Sequence, residues 1–452
     1  MKILSADYVL PITQDPVSNG AVAVEDDKIA AVGNKKSIVE RYPEAELMDF
    51  GDAVLMPGFV NVHSHLELSI LRGYLDRFDD DFASWLIELT KTRREILTEN
   101  DIRFSAEFGA AEGISAGVTC FADIGRYGEA GFYALRKTGL RGVVFQETEF
   151  SPDSKTAKDD FSMLFEKFKA LCERETALVR AGISPHAPYT VSSALFEKIA
   201  EASMLAGFPI TIHAAESIEE ENLMAKGEGF FADIYEKQGI DWNHPGSSSI
   251  EYLSRLGVLT AKPLLAHCVT VSDSDIDLIE KSGSGIAHCP KSNAKFGHGI
   301  APFEKFIRRG VKTGLGSDSV VSNNSCDLIE ESRFAVLFAR AKEKTDVFLT
   351  AGEILRCATL GGAEAMGLEN EIGSLEIGKQ ADIIAVSTKN FAQKPVFDIC
   401  SSLVFGGTAR DVIFTMVAGR ELYSGGRFLT VDETEIRKKT DELAEKLRGL
   451  NI

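Results

Sequence analysis

The sequence is missing the features that several classes of protein require. No apolar run approaches the ~18 residues that cross a bilayer, so a membrane-spanning helix is not expected. The seven cysteines are scattered, odd in number and never spaced Cys-x-x-Cys, which argues against a disulfide framework. Positive charge is short as well: 49 Lys and Arg against 68 Asp and Glu leave a formal charge of -19. That balance disfavours nucleic acid phosphates and anionic lipid surfaces as partners and leaves a small molecule as the expected ligand. The opening stretch MKILSADYVLPITQDP is broken by Asp and Pro, unlike the apolar centre of a secretory signal, so a cytoplasmic location is expected. Low-complexity tracts and long Pro- or Gly-rich linkers are absent too.

At 452 residues the chain exceeds what one hydrophobic core holds, and a large domain with a smaller accessory one is expected. Residues 1–56 read as short strands with turns, in KILSADYVLPI, GAVAVEDDKIAAVG and ELMDFGDAVLMPG. From Met56 eight apolar strand candidates alternate with helical stretches: GFVNVHSH, GVTCFADIG, RGVVFQETE, LVRAGISPHA, PITIHAAE, PLLAHCV, GSGIAHCP and VKTGLGSDS. Eight strand-then-helix units predict an α/β chain closed as a (β/α)₈ TIM barrel over 57–368. Strand-like patterning returns in IGSLEIGKQADIIAVS and VIFTMVAGRELYSGG, so residues 369–430 are expected to pair with 1–56. Residues 431–452 read as a charged amphipathic helix on the exterior.

The histidines carry the chemical signal. His63 and His65 are two apart on the first expected barrel strand, so both side chains face the same way. His186, His213, His267 and His288 fall at the ends of strands four to seven, so six of the eight histidines converge on the barrel rim that holds active sites. His63, His65, His213 and Asp318 together offer three nitrogens and one oxygen, a set that suits one divalent metal ion, Zn²⁺ first and Fe²⁺ second. Glu216, three residues after His213, can face a substrate beside that metal, and His267 is placed to contact the attacking water.

PGFVNVHSHLELS, SPHAPYTVS, TIHAAES, LLAHCV, AHCPKSNAKFGHGIAP, GLGSDSVVSNNS and GKQADIIAV, in that order, resemble the amidohydrolase superfamily. They are most similar to its cytosine deaminase/atrazine chlorohydrolase branch, which includes S-adenosylhomocysteine/methylthioadenosine deaminases and aminofutalosine deaminases. The resemblance runs from about residue 1 to 425. It implies that the paired terminal segments form a composite β-sandwich beside the barrel. It also implies a single metal, because two-metal members place a carboxylated Lys at the end of strand four and LVRAGISPHAPYT has none.

On this reading the enzyme hydrolyses a C–N bond of a cyclic amidine. The metal lowers the pKa of water towards ~7, Asp318 accepts the proton, His267 stabilises developing charge and Glu216 protonates the ring nitrogen. An adenosine-type nucleoside (aminofutalosine, methylthioadenosine/S-adenosylhomocysteine or adenosine) is the expected substrate; a triazine- or pterin/guanine-type amino- or chlorohydrolase and a non-catalytic scaffold are the alternatives. The resembling families place a substrate-binding histidine at His186. Substrate contacts are also expected from Glu67 and Trp85 after strand one, and from Asn293 after strand seven. Where methylthioadenosine/S-adenosylhomocysteine deaminases carry a first-helix Glu and an Arg beyond strand three, this chain has Arg93 or Arg94 and Gln146 or Glu147, of which Arg94 and Gln146 are taken as the contacts. A homo-oligomer is common among the families resembled, without being fixed here.

Overall fold

A computed structural model describes residues 1–240, 242–342 and 348–449, so the last three residues of the expected C-terminal helix, 450–452, lie outside the described residues. The chain opens with β1 (Lys2–Val9), β2 (Val17–Glu25), β3 (Lys28–Asn34), β4 (Glu46–Asp49) and β5 (Ala53–Pro57). Neighbouring residues of β1 enter different apolar clusters, Ile3 with Ala21 and Ile38, Leu4 with Val22 and Phe414. This is the two-residue alternation of a strand buried on both faces.

Eight strands follow: β6 (Phe59–Ser64), β7 (Val118–Gly125), β8 (Arg141–Glu147), β9 (Val179–Ser184), β10 (Thr211–Ala214), β11 (Leu264–His267), β12 (Gly285–His288) and β13 (Thr313–Leu315). They coincide with the eight expected segments. β6 to β9 form one parallel sheet and β10 to β13 another. Parallel bridges join the two sheets on both sides, Ile183 to Ile210 and Ser64 to Asp318. Nearly every position in these strands is buried, as a parallel sheet covered on both faces requires. The helices Gly128–Thr138, Ser193–Ala206 and Asp273–Ser282 end at Gly139, Gly207 and Gly283, each with positive φ, the conformation that stops a helix most cheaply at glycine.

The last strands are β14 (Ile383–Ser387), β15 (Val412–Val417), β16 (Arg420–Ser424) and β17 (Arg427–Phe428). β14 pairs with β5, so the two terminal segments share one nine-stranded sheet. The helix Glu433–Arg448 buries Ile436, Leu443 and Leu447, and its Lys446 Nζ lies 2.6 Å from Asp101 Oδ2 on the helix Glu99–Ser115. Among the described residues no helix is long and apolar enough to cross a membrane. All seven cysteines are free.

A buried ion pair fastens the terminal sheet to the parallel strands. Arg141 at the start of β8 donates from Nε and a terminal nitrogen to the two oxygens of Asp382, at 2.8 and 3.1 Å, and Asp382 also accepts from the Ala418 amide at 2.8 Å. Removing one partner strands the other charge in the interior. Asp382→Ala is expected to cost about 3–5 kcal/mol in denaturant unfolding. The apolar pair Arg141→Met with Asp382→Leu should lose much less, and equal losses from both would mean that the cost lies in losing the pair itself and not in the charge left unpaired.

Candidate active site

The alternation of β6 sets the first ligands. Val60 and Val62 pack into an apolar cluster, leaving Asn61 and His63 on the other face, with His65 just past the strand end. Asn61 ties this end to the loop after β13, donating to Ser317 Oγ at 2.8 Å and accepting from the Ser317 amide at 2.9 Å. The Asp318 amide then donates to the His63 carbonyl at 2.9 Å. Asp318 Oδ1 is thereby brought 3.3 Å from His63 Nε2 and 3.5 Å from His65 Nε2, while His213 Nε2 lies 3.3 Å from His65 Nε2. The other Asp318 oxygen accepts from the Ser292 and Ser322 hydroxyls, at 2.6 and 2.9 Å.

These donors suit a divalent cation. Both ring nitrogens of His63 are buried without a hydrogen-bond partner, a costly state that a metal bond would relieve. His213 Nδ1 donates to the His186 carbonyl at 3.1 Å, which leaves Nε2 as a lone pair facing the cluster. Burial lowers the pKa of His63, His65 and His213, so the rings are neutral as ligation requires. Burial alone would raise the Asp318 carboxyl, but His63 and the neighbouring imidazoles outweigh it and hold Asp318 well below the usual carboxylate range. The donor atoms of His63, His65 and Asp318 lie within 4.8 Å of one another, as do those of His63, His213 and His267. Glu147, His186 and His213 form a third such group, but it borrows His213, whose two nitrogens already face His186 and His65. Two ligands are then left for a second cation.

The backbone around these side chains is unusual. Ala215, His267, Cys268 and Asp318 all have positive φ, between 47° and 72°, which L-residues other than glycine seldom adopt. Each follows or ends a parallel strand, and such strain collects where a fold holds functional groups in place.

Glu216 lies two residues beyond β10. Ser217 caps the next helix, Ile218–Lys226, and the Glu220 carboxylate takes the Ala215 and Glu216 amides at 2.8 and 2.9 Å, so Glu216 is not needed there. Its own carboxyl accepts from the Tyr189 hydroxyl at 3.4 Å and lies 3.6 Å from His267 Nε2 and 3.8 Å from His298 Nε2. Burial, reinforced by the Asp318 charge, pushes its pKa up to about 8. At neutral pH it holds a proton it can give away. His267 ends β11, and its Nδ1 donates to Asn293 Oδ1 at 2.9 Å, aiming Nε2 at the Glu216 carboxyl.

A cavity of about 70 Å³ adjoins these groups and opens on a cleft of about 1060 Å³ lined by Leu86, Ile87, Arg94, Phe150, Phe230 and Phe231. His186 and Trp85, both expected at the substrate, line the inner cavity, and Trp85 packs edge-on against Phe296 with ring centroids 4.8 Å apart. Arg94 is exposed in the outer cleft, whereas its neighbour Arg93 is buried and lines the inner cavity.

Two residues expected to touch substrate, Glu67 and Gln146, have their polar atoms occupied elsewhere, and a third, Asn293, has its Oδ1 taken by His267. Glu67 is buried and accepts from Arg93 at 3.1 Å and from the Arg126 and Tyr127 amides at 3.3 and 2.9 Å, holding the helix Phe82–Lys91 and its extension to the parallel strands. Gln146 donates to the carbonyls of Arg126 and Glu147, at 2.9 and 3.2 Å, and it is Glu147 that faces the inner cavity. Asn293 sits behind the His267 ring. His288 leaves the group too, its ring stacked on Phe303 at 4.6 Å. The sequence reading left out Tyr189 and Arg126. Tyr189 could have been found from its place three residues after His186, on the same strand-end loop.

Comparison with known proteins agrees with this geometry. The sequence model described as the amidohydrolase family matches residues 54–422. The chain belongs to the amidohydrolase family. A second model, an imidazolonepropionase-like composite domain of bacteria, matches residues 20–45. Among amidohydrolase relatives, a 5-methylthioadenosine/S-adenosylhomocysteine deaminase from Thermodesulfovibrio yellowstonii is 30% identical, over 99% of both chains. A 5'-deoxyadenosine deaminase from Methanobrevibacter smithii is 32% identical, over 95% of this chain and 94% of its own. The crystal structure of an adenosine deaminase from Xanthomonas campestris with bound zinc superposes with a TM-score of 0.89 at 26% identity, covering 99% of this amidohydrolase and 98% of the other chain.

Proposed function

We propose that this amidohydrolase is a zinc-dependent deaminase of adenosine-type nucleosides, such as methylthioadenosine/S-adenosylhomocysteine, 5'-deoxyadenosine or aminofutalosine, releasing ammonia. The observation that carries the reading is the buried Glu216 carboxyl, 3.6 Å from His267 Nε2, beside a histidine cluster that shares Asp318. The names of the full-length relatives support the substrate class. We read the two parallel sheets as one closed (β/α)₈ barrel over 57–368, and residues 1–56 with 369–430 as a composite β-sandwich. The bridges at both seams and the apolar cluster shared by Leu4, Val22, Ile383 and Phe414 support that division.

His63, His65, His213 and Asp318 would hold one Zn²⁺, which supplies a Lewis acid that lowers the pKa of water to about 7. Asp318, ionised and steadied by two serine hydroxyls, takes the proton of the attacking water. His267, its Nδ1–H held by Asn293, orients that water and offsets developing charge. Glu216 gives its proton to the ring nitrogen, which makes the amino-bearing carbon electrophilic, and afterwards helps to protonate the departing amine. Trp85 and His186 frame the heterocycle.

The test is ammonia release from a panel of adenosine, 5'-deoxyadenosine, methylthioadenosine, S-adenosylhomocysteine, aminofutalosine, guanine and aminotriazines. Turnover confined to guanine or triazines would overturn the substrate class. The active form of Glu216 is the acid, full at pH 7 and lost as pH rises through about 8; a nearby cation draws that transition downward. The kcat profile is therefore expected to show an alkaline limb no higher than about 8. A profile flat to about pH 10 would remove Glu216 as the acid.

A further inference from the structure

We propose that Glu147 determines specificity by accepting a hydrogen bond from an N–H or O–H of the substrate, on the His186 side of the site. The inference rests on the deaminase reading and adds a group which that reading does not use.

Glu147 is the last residue of β8, buried, and lines the inner cavity. One carboxylate oxygen, Oε2, is occupied by Arg126 Nε at 3.2 Å, and Arg126 also reaches Glu149 at 3.4 Å. The other, Oε1, is buried with no hydrogen-bond partner among the described residues. Its neighbour His186 Nε2 is 3.9 Å away, beyond hydrogen-bond reach. An anionic oxygen without a donor is disfavoured in a protein interior, so its retention at a cavity wall points to a donor that arrives with the ligand. An ionised carboxylate only accepts, so halogen, ether or methyl substituents cannot satisfy it. Glu216 serves the His267 side of the site, at 3.6 Å from that ring. Glu147 reads what lies on the other side.

In an aminopurine nucleoside the donor comes from one of two places, the exocyclic amine or a sugar hydroxyl. The experiment compares kcat and KM of wild type, Glu147→Leu and Glu147→Gln for adenosine, 6-chloropurine riboside, 2'-deoxyadenosine, 3'-deoxyadenosine and 5'-deoxyadenosine, with zinc content measured throughout. Glu147→Leu is expected to lower kcat/KM for adenosine about 30-fold, the scale of a charge-assisted hydrogen bond. It should leave the analogue that lacks the contacted donor within about threefold of wild type. Glu147→Gln, which keeps an acceptor oxygen, should restore most of the loss.

If the chloro analogue alone escapes the loss, Glu147 reads the amine; if a deoxy analogue alone escapes, it reads that hydroxyl. Equal losses for all five substrates, or none, overturn the proposal. A wild-type enzyme silent on every nucleoside overturns the deaminase reading itself, and the proposal with it. Should Glu147→Leu not fold, the Gln variant decides: a loss for adenosine that one analogue escapes supports the proposal, and a uniform loss or none across the panel overturns it.

Discussion

Glu216→Gln is expected to lower kcat by about 10³-fold while zinc content and thermal stability stay at wild-type values. The carboxyl is not bonded to the metal cluster; its contacts are Tyr189, His267 and His298. Gln keeps the volume and an acceptor for the Tyr189 hydroxyl but has no proton to give. The ring nitrogen then stays neutral, and hydroxide must attack an unactivated aromatic carbon. Steady-state kinetics with zinc quantified in the same samples checks this. A variant within about tenfold of wild type would mean that the ring is protonated from elsewhere, and His298 would be the next group to remove.

Chelation is expected to take turnover to background, and stoichiometric Zn²⁺ to restore it. The reason is the distance on the pKa scale between bulk water, about 15.7, and water activated by a metal, about 7, a gap that Asp318 cannot bridge as a base. Asp318 is held well below the usual carboxylate range, so it is a weak base that works only on an already acidified water. Asp318→Asn should lose activity comparably while keeping some zinc through His63, His65 and His213. Ammonia release at full rate by protein shown to be metal-free would sink the mechanism.

Much of the site was legible because period and placement coincide. All eight parallel strands follow from apolar runs with helical stretches between them, and His63, His65, His213, His267 and Asp318 fall at or just past strand ends, where topology alone brings distant residues together. The placements that the sequence leaves open are those where one residue of register decides the answer. Gln146 and Glu147 are neighbours on a strand, so one must face away from the other, and Arg93 and Arg94 differ by about 100° around a helix. Composition cannot choose between them, because either carries a suitable group. Glu67 shows a different limit: it has the chemistry to bind a ligand, and only the structure reveals that Arg93 and two backbone amides already claim it.

The bridge between Ser64 and Asp318 joins the first strand of the eight to the loop after the last, and the residues proposed to hold the metal sit on both sides of that join. A cation there acts as a clasp between stretches of chain some 250 residues apart in sequence. On the proposed ligand set, high-affinity zinc uptake is expected late in folding, after β13 has docked on β6. Each tenfold excess of free zinc over its dissociation constant then adds about 1.4 kcal/mol against reopening of that seam.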